Sequence, residues 1–325
     1  MISDKQVFQL LGLSVIMFFS QCGLNDKPKE DKIATQEKAP GADTSSKQQS
    51  AANEPEQPKP SEHKFTAYPL KGVDTATKAF KKKYSESEQY IILALNRVDA
   101  KHIGRADTLI IPDKIDTDLM AYSPFPAYVD MIKDIPKIIF FSYPVQAFGA
   151  YENGKLVYWG PSSMGAKIHP TPLGLHFTNW KGKQIISSVN DEWKLNWNFN
   201  IENKEGVGWH EYDLPGYPAS HSCLRLLADQ AKWLYVWGEQ WILDKKGQLL
   251  AKGTPVIVYG EYPWGQRRPW KNLLENPDAN TISEGDLNTV LQPFMDEIQK
   301  QLSIRQNILQ TTNTTAQANA NDTLK

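Results

Sequence analysis

The spacing of apolar positions divides the chain into a helical part and a strand-rich part. Residues 74–98 ("DTATKAFKKKYSESEQYIILALNRV") carry apolar side chains at helical spacing. These side chains are Phe80, Tyr84, Ile91, Ile92 and Leu95. From Lys137 the pattern changes to short apolar runs separated by turn signals, with one helix-like stretch, "LADQAKWLYVW" (227–237). Short strands with few helices predict a mainly β sandwich or barrel rather than a parallel α/β sheet.

Turn chemistry and composition refine this division. The segment "ENGK" (152–155) separates two β-type runs, and its Asn-Gly pair predicts a tight hairpin. After Tyr262 the chain is rich in proline and then has helical spacing near Leu287–Leu302. The end, "QTTNTTAQANANDTLK", is of low complexity and predicts disorder. We therefore place a β domain at residues 137–262 and a C-terminal helical extension with a disordered tail at 263–325.

The N-terminal segment has the pattern of an exported, lipid-anchored protein. Val7–Phe19 is almost wholly apolar, too short for a comfortable membrane span, and "IMFFSQCG" then ends in a cysteine and a small residue. This resembles a bacterial lipoprotein signal at residues 1–22, with Cys22 as the lipidated residue. Residues 23–62 contain no aromatic residue and are rich in charged and polar residues, which predicts a disordered tether. The alternative is an ordinary N-terminal helix in which Cys22 is incidental.

A small subdomain is expected between the tether and the β domain, at residues 63–136. Its segment Asn96–Pro112 ("NRVDAKHIGRADTLIIP") predicts a helix end, a short loop and a strand. This order resembles the second half of a LysM repeat, a module that binds cell-wall glycans, although Ala106 stands where the repeat usually has glycine. The alternative is a helical subdomain that only packs against the next domain.

Charge and cysteine content narrow the function classes. The formal net charge is −1, so nothing indicates a nucleic-acid-binding surface. The chain has two cysteines, Cys22 and Cys223, and lipidation of the first leaves the second without a partner. A free cysteine in an oxidising envelope compartment is a liability unless its chemistry is used. Cys223 is therefore the leading candidate for a reactive residue.

The neighbours of Cys223 suit nucleophilic catalysis. It lies in "PASHSCLRL" (218–226), where the polar residues Ser220, His221, Ser222 and Arg225 argue against a buried core cysteine. A histidine beside a thiol can remove its proton, and both His221 and His210 are candidates. If this stretch is a strand, residues 221 and 223 face the same side. A zinc site built from His210, His221 and Cys223, with Asp213 available, is the alternative.

The same residues resemble a known enzyme family. "HEYDLPGYPASHSCLRL" (210–226) looks like the active-site signature of L,D-transpeptidases with a YkuD-type catalytic domain. "TPLGLHF" (171–177) is similar to their Thr-Pro-x-Gly turn, and "VQAFGAYENGKLVYWGPSSMG" (145–165) is similar to their opening hairpin, with Gln146 at the usual glutamine. The resemblance covers roughly residues 137–262. It implies a β-sandwich-like catalytic domain with one or two helices, which agrees with the strand pattern.

The resemblance also implies roles for individual residues. Cys223 would attack the carbonyl carbon of the third residue of a peptidoglycan stem tetrapeptide, with His210 as general base and His221 shaping the site. Arg225 would orient this segment or a substrate carboxylate, and backbone N–H groups near Ser222 and Cys223 would bind the oxyanion. Ser220 fits the family pattern. No cofactor or metal is expected.

Ser222 is the one clear departure from the family pattern, which has glycine between the histidine and the cysteine. Glycine adopts backbone angles that other residues avoid. If the geometry requires a positive φ, Ser222 is strained, and the oxyanion site or the activity is altered.

The sequence thus predicts a lipid-anchored L,D-transpeptidase of the cell envelope that faces the periplasm. It would act as a monomer and form 3→3 cross-links, or transfer the acyl group to a protein lysine. An L,D-carboxypeptidase, a zinc peptidase and a non-catalytic peptidoglycan-binding lipoprotein remain the alternatives.

Overall fold

The computed structural model of the protein describes residues 63–70, 73–187, 192 and 194–322, and for residues 313–322 it describes the backbone alone. The predicted signal peptide, Cys22 and the tether lie outside the described residues. Within the described part, no helix combines the length and the hydropathy that a membrane span needs.

The described residues form strands and helices in the following order. The strands are β1 (Phe65–Pro69), β2 (Thr108–Pro112), β3 (Ile138–Ser142), β4 (Ala147–Glu152), β5 (Lys155–Pro161), β6 (Gly174–Phe177), β7 (Lys181–Ile186), β8 (Lys194–Glu202), β9 (Val207–Glu211), β10 (Leu224–Leu226), β11 (Ile242–Leu243), β12 (Leu249–Ala251) and β13 (Pro255–Tyr259). The helices are α1 (Val73–Lys83), α2 (Glu86–Leu95), α3 (Ala228–Trp237), α4 (Glu284–Leu291) and α5 (Met295–Asp322).

Two sheets form the predicted sandwich. One has five strands in the order β5-β4-β3-β13-β6, and the other has four in the order β10-β9-β8-β7. Between them lies an apolar core that includes Phe141, Phe148, Phe199 and Trp209. The opposite face of the five-stranded sheet is also covered, and Phe140 packs there in a second core. All five residues of β3 are therefore buried, which explains its continuous apolar run. The mainly β prediction is confirmed.

The hairpin between β4 and β5 has the predicted turn. Asn153 and Gly154 both have positive φ, at 46° and 81°. Positive φ at both central residues is the requirement of the turn type that Asn-Gly favours, because its twist matches that of the flanking strands.

The subdomain before the sandwich has the order β1-α1-α2-β2, with β1 and β2 paired antiparallel; we call it the N-terminal unit. The helical pattern at 74–98 is divided between α1 and α2, because Ser85 caps α2 in a capping box with Glu88. The helix end at Asn96, the loop and the strand at Thr108–Pro112 lie in the predicted order. The LysM-like assignment itself stays a prediction.

The C-terminal extension differs from the sequence prediction at its end. The backbone of α5 is helical to Asp322, through most of the segment that we predicted to be disordered. Ile298 is buried in the second core, and Arg305 donates a hydrogen bond to Glu239 Oε2 at 2.9 Å. Once packing has fixed the first turns of α5, each further residue adds one backbone hydrogen bond for the conformational entropy of a single residue. The low-complexity composition of the segment does not show that such a packed start exists.

Candidate active site

Cys223 and His210 are brought together by two parallel strands. β10 pairs with β9 so that Arg225 lies opposite His210 and Leu224 opposite Trp209. Cys223 therefore immediately precedes β10 and lies beside Gly208. A small pocket at this point is lined by Ser187, Leu195, His210, Tyr212, Ser220, His221, Cys223 and Arg225. The structure thus places five of the residues singled out in the sequence, namely Cys223, His210, His221, Ser220 and Arg225, around one pocket.

The segment before Cys223 is not the strand that the same-face argument assumed. β10 begins only at Leu224, and Ser222 has a φ of 79°. His221 and Cys223 reach the same pocket through this turn and not through strand alternation. The condition under which the sequence predicted a strained Ser222 is therefore met, because a serine lies in the left-handed region at the position where the family pattern has glycine.

A network of buried hydrogen bonds holds the turn at Ser222. Thr171 Oγ1 donates to the Ser222 carbonyl at 2.8 Å and accepts from the Gly165 N–H at 3.0 Å. Tyr143 OH accepts from the Thr171 N–H at 2.8 Å and donates to the Gly165 carbonyl at 2.9 Å. Thr171 and Tyr143 are both buried. The turn with the Thr-Pro pair therefore fixes the backbone next to Cys223.

Gln146 stabilises the segment around Met164, which follows β5. Its Oε1 accepts from the Met164 N–H at 2.8 Å, and its Nε2 donates to the Tyr143 carbonyl at 2.8 Å. The Met164 carbonyl in turn accepts from the Ala219 and Ser220 N–H groups at 3.0 and 3.1 Å. Gln146 thus does not line the pocket but stabilises the backbone of Met164, which in turn holds the backbone of Ala219 and Ser220.

His210 is arranged as a base. Its Nδ1 lies 2.9 Å from the Glu211 carbonyl, and since a carbonyl can only accept, Nδ1 carries the proton and Nε2 the lone pair. Burial lowers the pKa of His210 to about 4; the hydrogen bond to Glu211 opposes this and the charge of Arg225 adds to it. His210 is therefore neutral at physiological pH and can accept a proton.

Cys223 is a protonated thiol at rest. It is not disulfide-bonded, and burial raises the pKa of its thiol. A hydrogen bond from the Gly208 backbone and the charge of Arg225 both favour the thiolate but are weaker than the burial. With a neutral imidazole and a neutral thiol, the site is not a preformed ion pair, so the thiolate must form when a substrate is bound.

Tyr212 belongs to the site and was not singled out from the sequence. The Arg225 guanidinium lies 4.6 Å from the centre of the Tyr212 ring, and the same ring meets His210 edge-on at 5.7 Å. Tyr212 therefore contacts both the His210 imidazole and the Arg225 guanidinium and restricts their orientation. Its position two residues after His210 was the available signal, since residues at that spacing in an extended chain share a face, and Tyr212 directly follows β9.

The remaining polar residues lie at the edge of the pocket. His221 is exposed and stacks on His169, with ring centres 4.6 Å apart. Ser220 is buried, and its Oγ donates to the Cys223 carbonyl at 2.5 Å. Ser220 therefore stabilises the turn, while His221 lines the pocket and is backed by the His169 ring.

The arrangement does not favour the zinc alternative. Among the described residues, the group of His, Cys, Asp and Glu side chains close enough to share an ion consists of Asp99, His102 and Asp213. It contains none of His210, His221 and Cys223. Asp213, which we considered as a fourth ligand, pairs instead with His102, its Oδ2 lying 3.7 Å from His102 Nε2.

Comparison with known proteins agrees with these observations. Residues 136–258 match the family model of the L,D-transpeptidase catalytic domain, YkuD. No curated protein matches the chain. The family assignment accordingly depends on the match of this segment.

Several solved structures are similar to part of the chain. One is an L,D-transpeptidase from Stackebrandtia nassauensis, at 23% identity over 39% of this chain and 57% of that one, with a TM-score of 0.32. Another is L,D-transpeptidase 3 from Mycobacterium tuberculosis with a faropenem-derived adduct, at 21% identity over 38% and 60%, with a TM-score of 0.30. An L,D-transpeptidase from Mycobacterium smegmatis aligns at 20% identity over 38% and 59%, with a TM-score of 0.31. The chain thus spans less than two thirds of the length of each.

The family match covers the segments that contain Gln146, Thr171, His210 and Cys223, and it confirms the resemblance predicted from their motifs. Residues 136–258 are an L,D-transpeptidase catalytic domain of the YkuD type.

Proposed function

We propose that the protein is an L,D-transpeptidase that acts on peptidoglycan stem tetrapeptides through a thioacyl intermediate on Cys223. The observation that carries the proposal is that a thiol and a neutral imidazole line the same pocket of the family-matched segment. Cys223 and His210 both line this pocket, and the Glu211 carbonyl holds His210 in the tautomer whose Nε2 accepts a proton.

The reaction would proceed in two acyl transfers. His210 Nε2 takes the proton of Cys223, and the sulfur attacks the carbonyl carbon of the third stem residue. Collapse of the tetrahedral intermediate breaks the peptide bond, and His210 returns the proton to the leaving amino group of D-Ala. An acceptor amine then attacks the thioester, loses a proton to His210 and forms the new amide as the thiol is released.

The positive charge of Arg225 affects the first step, the proton transfer from Cys223 to His210. Arg225 lowers the pKa of Cys223 and also disfavours the protonated form of His210. Binding of an anionic substrate group near Arg225 would offset its effect on His210, which makes proton transfer to the imidazole easier. Backbone N–H groups near Ser222 and Cys223 would stabilise the oxyanion.

The test is mass spectrometry of a defined disaccharide-tetrapeptide after incubation with the full-length protein. We expect a cross-linked dimer and release of D-Ala, with both absent in Cys223→Ala. Tripeptide alone would assign an L,D-carboxypeptidase, in which water replaces the amine. Unchanged tetrapeptide together with binding to isolated sacculi would overturn the proposal in favour of a non-catalytic peptidoglycan-binding protein.

We also propose that Cys22 is lipidated and that the catalytic domain faces the periplasm. The support is the apolar run Val7–Phe19, followed by "SQCG" (20–23) and then a polar segment. Metabolic labelling with a fatty-acid analogue should mark the wild-type protein and not Cys22→Ala. Equal labelling of both proteins would reject Cys22 as the attachment point.

A further inference from the structure

The chain that joins the base to the nucleophile is held from outside the catalytic domain. This chain, residues 212–219, runs from the end of β9 toward Ser220, and we call it the active-site loop. Tyr212, its first residue, stacks against Arg225 and meets His210 edge-on. A shift of the loop would therefore change the surroundings of the two side chains that act on Cys223, the Arg225 guanidinium and the His210 imidazole.

We propose that Asp99 of the N-terminal unit is a positioning residue that fixes the active-site loop for catalysis. The Leu214 N–H donates to Asp99 Oδ2 at 2.6 Å, and the Asp99 N–H donates to the Leu214 carbonyl at 3.0 Å. Asp99 thus satisfies both backbone polar groups of Leu214, whose side chain is fully buried. Next to it, Val98 forms an antiparallel bridge with Pro215.

The carboxylate of Asp99 is itself held in place. Its Oδ1 accepts hydrogen bonds from the backbone N–H groups of Lys101 and His102 at 2.7 and 3.0 Å. The His102 ring adds a contact from Nδ1 to Asp99 Oδ2 at 2.8 Å. On its other side, His102 Nε2 lies 3.7 Å from Asp213 Oδ2 in the loop. Since the Asp99 oxygens already accept these donors, the group suits a rigid anchor better than a metal site.

A second contact makes this anchor rigid relative to the catalytic domain. Arg97, two residues before Asp99, is buried, and its Nε donates to the Val145 carbonyl at 2.9 Å. Its guanidinium lies 5.8 Å from the ring centre of Trp159 and 5.3 Å from that of Trp270. Residues 97–102 therefore touch the catalytic domain next to Gln146 and again at the active-site loop.

The consequence is that the catalytic domain is incomplete without the N-terminal unit. Residues 97–102 lie outside the family-matched segment 136–258, yet they pair with the loop between His210 and Cys223. Loss of the Asp99 carboxylate would leave the Leu214 amide without its acceptor, and a loop that moves to find another takes Tyr212 with it. Small displacements of this kind lower the rate of the chemical step more than they lower binding.

The experiment compares Asp99→Ala, Asp99→Asn and Asp113→Ala in the full-length protein. Asp113 is an exposed aspartate of the same unit and serves as the matched control. For Asp99→Ala we expect kcat on tetrapeptide to fall on the order of 10-fold with KM changed less than about 2-fold. Asp99→Asn keeps one acceptor oxygen and should recover part of kcat, and Asp113→Ala should match wild type.

Two further measurements separate positioning from loss of structure. Hydrogen exchange of residues 212–219 should be faster in Asp99→Ala, while β9 keeps its protection. The pH midpoint for alkylation of Cys223 by iodoacetamide should move down toward that of a free cysteine, because a displaced Tyr212 admits water to the pocket. A merely structural contact elsewhere would not lower kcat and this midpoint together.

The proposal is overturned if folded Asp99→Ala has wild-type kcat, alkylation midpoint and loop exchange. If Asp99→Ala does not fold, Asp99→Asn decides, and wild-type loop exchange and kcat in that variant reject the proposal. The comparison of kcat values rests on the proposed transpeptidase activity. If the wild-type protein does not convert tetrapeptide, that activity is rejected, whereas alkylation of Cys223 and loop exchange still test the role of Asp99.

Discussion

His210 and Arg225 lie directly opposite each other on the parallel strands β9 and β10. The proposed base and the Arg225 guanidinium therefore line the same side of the pocket, beside Cys223. Burial and the positive charge both act against a protonated imidazole, so His210 is kept neutral and ready to accept a proton. The parallel register is thus the feature that sets the chemistry of the site.

The first prediction concerns stability in acid. The pKa of His210 is about 4 in the folded protein, and it returns to the ordinary histidine value near 6.5 on unfolding. Between these values the unfolded state binds more protons, so stability decreases as pH falls from about 6.5 to about 4. The total loss of folding free energy from this one histidine, once the pH is below about 4, is on the order of 3 kcal/mol.

Denaturant unfolding of wild type and His210→Gln across this pH range measures the effect. The unfolding free energy of wild type minus that of His210→Gln should be constant above about pH 7 and should decrease as the pH is lowered, because only the wild type loses stability through this histidine. The same difference at every pH would contradict a depressed histidine pKa.

The second prediction concerns the reactivity of the thiol. Because burial raises the pKa of Cys223, alkylation by iodoacetamide should have a midpoint above that of an ordinary cysteine. Arg225→Met removes a charge that favours the thiolate, so its midpoint should be higher still. Arg105→Met, at an exposed arginine of the N-terminal unit, is the matched control. A lower midpoint in Arg225→Met would show that Arg225 does not act on Cys223 through its charge.

The third prediction concerns the strained turn. Ser222 has a φ of 79°, a conformation that costs a non-glycine residue about 1–2 kcal/mol. Ser222→Gly removes this cost but adds chain entropy to the unfolded state, so we expect unchanged or slightly higher stability. Turnover should increase, because the peptide next to Cys223 can adjust to the oxyanion.

Ser222→Ala is the control for this change, since it removes the hydroxyl and keeps the strain. Melting temperature and kcat of Ser222→Ala should stay near wild type. If Ser222→Gly lowers both quantities, the serine itself contributes to the site, and the interpretation as a strained substitute for glycine is wrong.

The fourth prediction concerns Arg97, a buried cation at the junction of the N-terminal unit, the catalytic domain and the C-terminal extension. It donates to the carbonyls of Val145 and Leu95 at 2.9 and 2.8 Å. Arg97→Met leaves these carbonyls unpaired in the interior, which should destabilise the protein by about 3–5 kcal/mol. Arg105→Met should change stability by less than about 0.5 kcal/mol. Equal stability of the two variants, measured by denaturant unfolding, would show that the junction does not depend on Arg97.

Local sequence features predicted the elements whose structure depends on local chemistry. The Asn153-Gly154 pair sits in the predicted hairpin because positive φ at a turn is decided by the turn residues themselves. The helix Ala228–Trp237 and the strand-rich pattern after Lys137 follow from the spacing of apolar residues. In α5, by contrast, long-range packing supports a helix through a segment whose composition predicts disorder.

The residues around the site could be predicted from the sequence alone, because Cys223, His210, Ser222 and the Thr-Pro turn have a recognisable order and chemistry. The sequence did not determine the tautomer of His210, the place of Tyr212, or the contact between Asp99 and Leu214. The last pair is separated by 115 positions along the chain. Such contacts, like the burial that shifts the pKa of His210, arise only when distant segments pack together, and no local pattern encodes them.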